Sequence, residues 1–119
     1  METAWMEGYL LAKKGAVMDY KAEWEATRFM VGGKLFAMVG GDKAGKPLIT
    51  LKCAPALGQL LRWRYPGIVP GYYMNKAHWN SVYLDSETPE DVVRQLMDES
   101  YGLIFGALSK KLQREIEEA

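Results

Sequence analysis

The run Glu25-Ala26-Thr27-Arg28-Phe29-Met30-Val31-Gly32-Gly33-Lys34-Leu35-Phe36-Ala37-Met38-Val39 decides the fold. Two stretches rich in strand-forming residues flank a pair of glycines. Adjacent glycines tolerate the positive φ angles of a tight primed turn, whose twist matches that of paired strands. The run predicts an antiparallel hairpin of residues 25–31 with 34–39. Its register sets Phe29 opposite Phe36 and Met30 opposite Leu35, the two pairs on opposite faces of the ribbon.

Working outward, residues 40–46 form a glycine-rich loop, and 47–53 form a further strand with Leu48, Thr50 and Lys52 on one side. Upstream, Thr3 is placed to cap a helix whose Trp5, Met6, Tyr9 and Leu10 recur at helical spacing. Lys13 and Lys14 suit its negative end, Gly15 suits a left-handed residue beyond it, and 16–20 read as a short strand. Downstream, Pro55 opens a helix carrying Leu57, Leu60 and Leu61, ended by Pro66-Gly67. Residues 68–73 form a short strand broken by Pro70-Gly71, which places it at an edge. Residues 79–85 form the last strand. Thr88-Pro89-Glu90-Asp91 resembles a capping box. The helix after it buries Val93, Leu96, Met97, Ile104 and Leu108, and Ser109 caps a final short helix. The fold class is α+β: an antiparallel sheet of five to six strands with N-terminal, central and C-terminal helices packed on it.

A chain of 119 residues, 49% hydrophobic and 25% charged, fits one domain over residues 1–119 with a sizeable core. No apolar run approaches the roughly 18–20 residues of a membrane span, so no membrane partner is expected. The first residues lack the basic region of a signal peptide. One cysteine and seven methionines fit a reducing, cytoplasmic setting.

Formal charge is zero, yet its distribution is uneven. Residues 28–79 hold Arg28, Lys34, Lys43, Lys46, Lys52, Arg62, Arg64 and Lys76 against the single acid Asp42, a balance of +7. The flanking segments carry −2 and −5. A basic middle between acidic ends marks either a polyanion-facing surface or a segment neutralised by its own termini.

The chemical motifs are weak by comparison. Gly40-Gly41-Asp42-Lys43-Ala44-Gly45-Lys46 has P-loop spacing, but Pro47 stands where Ser or Thr should hold magnesium, and a strand follows where a helix should. It reads as a hairpin loop. His78 is the only histidine, and no second Cys or His stands at ligand spacing, so no metal or other cofactor is expected. A catalytic role for His78 would need Cys53, Ser81 or Asp85 beside it. No local signature supports that, and no catalytic residue is assigned. Cys53 reads as an inert buried thiol. Among the aromatics, Trp79 and Tyr83 read as core, while Tyr72 and Tyr73 read as an exposed pair. Together with Trp63, Tyr65 and Trp24 and interleaved with Arg62, Arg64 and Lys76, they resemble a stacking and phosphate-contacting surface, although at strand and helix spacing most of them read as core.

Asn75-Lys76-Ala77-His78-Trp79, followed by Val82-Tyr83-Leu84-Asp85, puts an amide, an ammonium, an imidazole and an indole within five residues. With Leu35-Phe36-Ala37-Met38, Leu51-Lys52, Pro55, Leu60-Leu61 and Ser100-Tyr101, it resembles the MmcQ/YjbR family of small bacterial proteins over nearly the whole chain. The resemblance implies an α+β fold with a frataxin-like layout and a comparison with double-wing domains, which are commonly labelled DNA-binding. It also marks Lys52, Asn75, Lys76, His78 and Trp79 as a candidate functional surface. With only Glu2 and Glu7 in the first helix, the frataxin comparison does not extend to an acidic iron-binding ridge.

The leading expectation is a non-enzymatic DNA-binding or transcription-associated domain. Lys34, Lys52, Arg62, Arg64 and Lys76 would contact phosphate, and Asn75 and His78 would read base edges. The alternative is a small-molecule or protein-binding module whose cleft near the 75–79 turn includes Cys53, Tyr72 and Trp79. Nothing in the sequence sets the oligomeric state.

Overall fold

The computed structural model describes residues 3–71 and 75–119. Six strands form one fully antiparallel sheet: β1 (Val17–Lys21), β2 (Ala26–Val31), β3 (Lys34–Gly41), β4 (Pro47–Lys52), β5 (Ile68–Pro70) and β6 (Trp79–Tyr83). Their order is β1-β2-β3-β4-β6-β5. The first four strands meander, and β6 inserts between β4 and the three-residue edge strand β5. Pro70, which has no N–H for a ladder, is tolerated at that edge. The Gly32-Gly33 turn has φ of 58° and 79°, as the hairpin reading requires.

The helices are α1 (Met6–Leu11), α2 (Pro55–Arg64), α3 (Glu90–Gly106) and α4 (Lys110–Glu118). Along β4 the side chains alternate. Ile49, Leu51 and Cys53 enter the core with Phe29, Val31, Val82, Val93, Leu96 and Met97, while Leu48 and Thr50 lie on the opposite, outer face. α3 packs across β2, β3 and β4, and α2 packs beside β5. α4 begins at Ser109, whose hydroxyl accepts from Leu112 N at 3.1 Å. The sheet has two ends. The hairpin end gathers Gly32-Gly33, the close of β4, the start of α2 and the 75–78 turn. The loop end gathers the 42–46 loop and the close of β6.

Several expectations are corrected. Met30 does face Leu35, but Phe29 faces Ala37, because a β-bulge inserts one residue in β3. The bulge lets Phe36 and Ala37 both enter the core, where each is fully buried. Thr3 supplies its carbonyl to Met6 N, not a side-chain cap to α1. The capping box does not form either. α3 starts one residue later than it requires, and the buried Thr88 hydroxyl meets Ser86 Oγ at 2.9 Å. On α2, Leu61 is buried, but Leu60 and Trp63 turn outward, Trp63 being 84% exposed. The expected exposed pair Tyr72 and Tyr73 lies outside the described residues.

Candidate nucleic-acid interface

The 75–79 turn is built from backbone hydrogen bonds. Asn75 Oδ1 accepts from Ala77 N at 2.9 Å, a local side-chain turn typical of asparagine. The Asn75 carbonyl accepts from His78 N at 3.2 Å and from Trp79 N at 2.9 Å. Two outside donors then pin the turn: Cys53 N to the His78 carbonyl at 2.8 Å, and Gly71 N to the Trp79 carbonyl at 2.6 Å. A Cβ on Gly71 would stand 2.6 Å from Trp79 Cβ, so only glycine fits there. Lys52 lies directly opposite Trp79 in the β4–β6 register. Five of the anticipated site residues therefore converge. Asn75, Lys76 and His78 are exposed, while Lys52 and Trp79 are half-buried.

Beneath the turn runs a polar chain. Asn80 Nδ2 donates to Cys53 Sγ at 3.1 Å, and Arg62 Nη1 donates to Asn80 Oδ1. Gly58 allows α2 to approach, since a Cβ there would meet Asn80 Nδ2 at 2.9 Å. Arg62 is thus turned toward the sheet, not aimed at an outside phosphate. Arg64 lies over the Tyr65 ring at the α2 terminus near the loop end. Lys34 sits exposed at the hairpin end, opposite Val31.

The central cations consequently do not share one flank. Arg28 is held bidentately by Asp19, with Nε–Oδ1 at 2.8 Å and Nη2–Oδ2 at 2.6 Å. Lys46 pairs with Asp85 at 3.7 Å at the loop end. Lys34, Lys52 and Lys76 remain at the hairpin end, each with no carboxylate within 4 Å among the described residues. Lys110 and Lys111, which the sequence reading passed over, join them there. Leu108 and Leu112 pack on Gly32, and a Cβ on that glycine would meet Leu108 Cδ1 at 2.6 Å. Ser109 was the available signal, because it fixes where α4 begins.

The catalytic alternatives do not assemble around His78. Asp85 lies beyond the far end of β6, roughly 20 Å along the strand from His78 at about 3.3 Å per residue. Ser81 Oγ is fully buried against Thr50 Oγ1 at 2.8 Å. Cys53 is completely buried, and its thiol is pushed up by burial and by the nearby Glu99, which outweigh Arg62. No group of three metal-ligating side chains occurs among the described residues. Two cavities are described, one across α1 and α3 beside Tyr9, Arg94 and Asp98, the other on the outer sheet face. Cys53 and Trp79 line neither, and Tyr72 lies outside the described residues. Among the described residues, no helix is long and apolar enough to cross a membrane.

One antiparallel sheet backed by helices, with a pinned polar turn at its lysine-bearing end, defines a small α+β protein organised around a surface. The chain belongs to the YjbR family, whose signature matches residues 11–103. It is 40% identical to the uncharacterized protein YjbR of Escherichia coli K12 over 93 residues, 78% of each chain. It is 41% identical to the uncharacterized protein YbdF of Escherichia coli O157:H7 over 88 residues, 74% of this chain and 71% of that one. The crystal structure of Deinococcus radiodurans protein DR2400, a DUF419 domain, superposes with a TM-score of 0.84 at 26% identity, covering 94% of this chain and 85% of that one.

Proposed function

We propose that the protein is a non-enzymatic DNA-binding module whose contact surface is the hairpin end of the sheet. The observation that carries this reading is how eight of its ten lysines sort, Lys14 and Lys43 aside. Lys13, Lys21 and Lys46 are paired with Asp98, Glu23 and Asp85, and Arg28 with Asp19. Lys34, Lys52, Lys76, Lys110 and Lys111 have no such partner among the described residues. Lys34, Lys52 and Lys76 lie at the hairpin end, and Lys110 and Lys111 lie in the chain between Leu108 and Leu112, which pack on Gly32 there.

The charge order of α4 adds support. Lys110 and Lys111 open the helix, and Glu115, Glu117 and Glu118 close it. Each group sits at the end of the macrodipole that disfavours it. Two lysines kept where they cost stability are accounted for by a partner that carries negative charge. Asn75 keeps its amide nitrogen for a base edge, since its oxygen is engaged in the turn.

The surface is smaller than the sequence implied, because Arg28, Lys46, Arg62 and Arg64 do not belong to it. Phosphate contacts would therefore number about three to five, which gives weak, strongly salt-dependent binding. Fluorescence anisotropy with a labelled duplex, from low to physiological salt, tests it. Affinity that falls linearly with the logarithm of salt supports the reading, and absence of binding at the lowest salt ends it.

A further inference from the structure

We propose that the outer face of the sheet carries a second site, one that takes a small aromatic amine, in the cleft bounded by Trp24, Glu25, Met38, Leu48 and Thr50. This site is separate from the hairpin end and does not depend on the DNA reading. The cleft encloses about 520 Å³, within the range of small-molecule pockets.

Its construction is specific. β1 and β2 are joined by a short 3-10 turn, Ala22–Trp24, and then by Glu25 at φ 50°, ψ 45°. Glu25 is the one non-glycine residue with positive φ among those described. A non-glycine residue held there is strained, and such strain concentrates at binding sites. The excursion stands Trp24 and Glu25 beside the sheet. Next to them Gly40 and Gly41 have no side chains: a Cβ on Gly40 would stand 3.2 Å from Ala26 Cβ and 3.6 Å from the Glu25 carbonyl, and one on Gly41 would stand 3.3 Å from Gly45. Met38, Leu48 and Thr50, all buried, form the floor on the sheet face opposite the helices.

The lining selects for charge as well as shape. Among the described lining residues the ionisable groups are the carboxylates of Glu23 and Glu25, while the Arg28 guanidinium, 5.8 Å from the Trp24 ring centroid, is already paired with Asp19. The protein already places an ammonium in this environment: Lys21 Nζ lies 3.5 Å from Glu23 and 4.9 Å from the Trp24 ring centroid. Glu25 has no ion pair among the described residues, so the second carboxylate is open to an incoming cation. An aromatic ring would fill the apolar floor beneath Trp24 while its amine meets Glu25.

The test is an amide NMR titration of the intact chain with tryptamine, and with indole-3-acetate as the same ring carrying the opposite charge. Tryptamine is expected to give saturable shifts at the Trp24 indole N–H, Gly40, Gly41 and Thr50, and indole-3-acetate is not. Glu25→Gln should weaken tryptamine roughly five-fold while its spectrum stays dispersed as in the parent. Equal binding of both compounds, no saturable shift at millimolar tryptamine, or an unchanged affinity in Glu25→Gln overturns the proposal.

Discussion

The hydroxyl of Ser100 donates to the backbone carbonyl of Phe36 at 2.5 Å, inside the core and 64 residues away in sequence. The same oxygen accepts from Lys52 N at 2.9 Å. One buried side chain on α3 thus closes the backbone at the β3 bulge and at the end of β4, and holds the strand that carries Lys52. Ser100→Ala would leave a buried acceptor and a part-buried donor unpaired, at a cost of about 1–3 kcal/mol. Urea unfolding measures it. A loss below about 0.5 kcal/mol would show that water or strand adjustment replaces the hydroxyl.

The two hairpin glycines are not equivalent. Both have positive φ, but a Cβ on Gly32 meets Leu108 at 2.6 Å, whereas one on Gly33 meets nothing within 4 Å. Gly33→Ala is expected to cost the backbone strain alone, about 1–2 kcal/mol. Gly32→Ala adds displacement of the α3–α4 junction and should cost more. Thermal denaturation of the pair ranks them, and the reverse order would contradict the packing of Leu108 described here.

Acid stability should depend on Asp42. Its carboxylate is held below the usual range first by the Lys46 amide and then by the Tyr83 hydroxyl, against the opposing effect of burial, with lesser help from the Ala44 amide and the Lys46 charge. A depressed folded pKa means that the stabilisation is complete above the unfolded value of about 3.9 and is lost as pH falls through the folded value. Asp42→Asn keeps the shape without the charge. It should melt below the parent at pH 7, and the gap should close as pH falls below 3.9. A gap independent of pH would assign the loss to shape alone.

Cys53 should be silent in the native state. It is completely buried, accepts a hydrogen bond from Asn80, and has its thiol pushed up by desolvation. A disulfide reagent at pH 8 is expected to react only in denaturant. Stoichiometric reaction of the folded protein within minutes would mean that the turn over Cys53 opens.

For the DNA reading, substitution should sort the lysines. Lys34→Gln, Lys52→Gln and Lys76→Gln are each expected to reduce the slope of log K against log salt by about 0.9. Arg28→Gln and Lys46→Gln, which remove cations already paired, should leave it nearly unchanged. Uniform effects across all five would place the contact surface elsewhere.

The sequence alone determined the meander. Gly32-Gly33 admits only a tight turn between two strand-forming runs, Pro70 forbids an interior position for β5, and Pro55 starts α2 where it stands. These are local consequences of backbone sterics, legible from a few neighbouring residues. The polar turn was legible in part: Asn75 forms it locally through Ala77, but the bonds from Cys53 and Gly71 that pin it come from outside the turn. Charge placement was decided by tertiary structure. Arg28 meets Asp19, Lys46 meets Asp85, and Arg62 turns to Asn80 only because sheet register and helix docking bring distant residues within a few ångströms. The same long-range packing carries Lys110 and Lys111 to the Gly32-Gly33 turn and inserts the bulge that sends Phe36 inward. Coulombic and packing energies depend on distances in space, which a one-dimensional pattern does not contain.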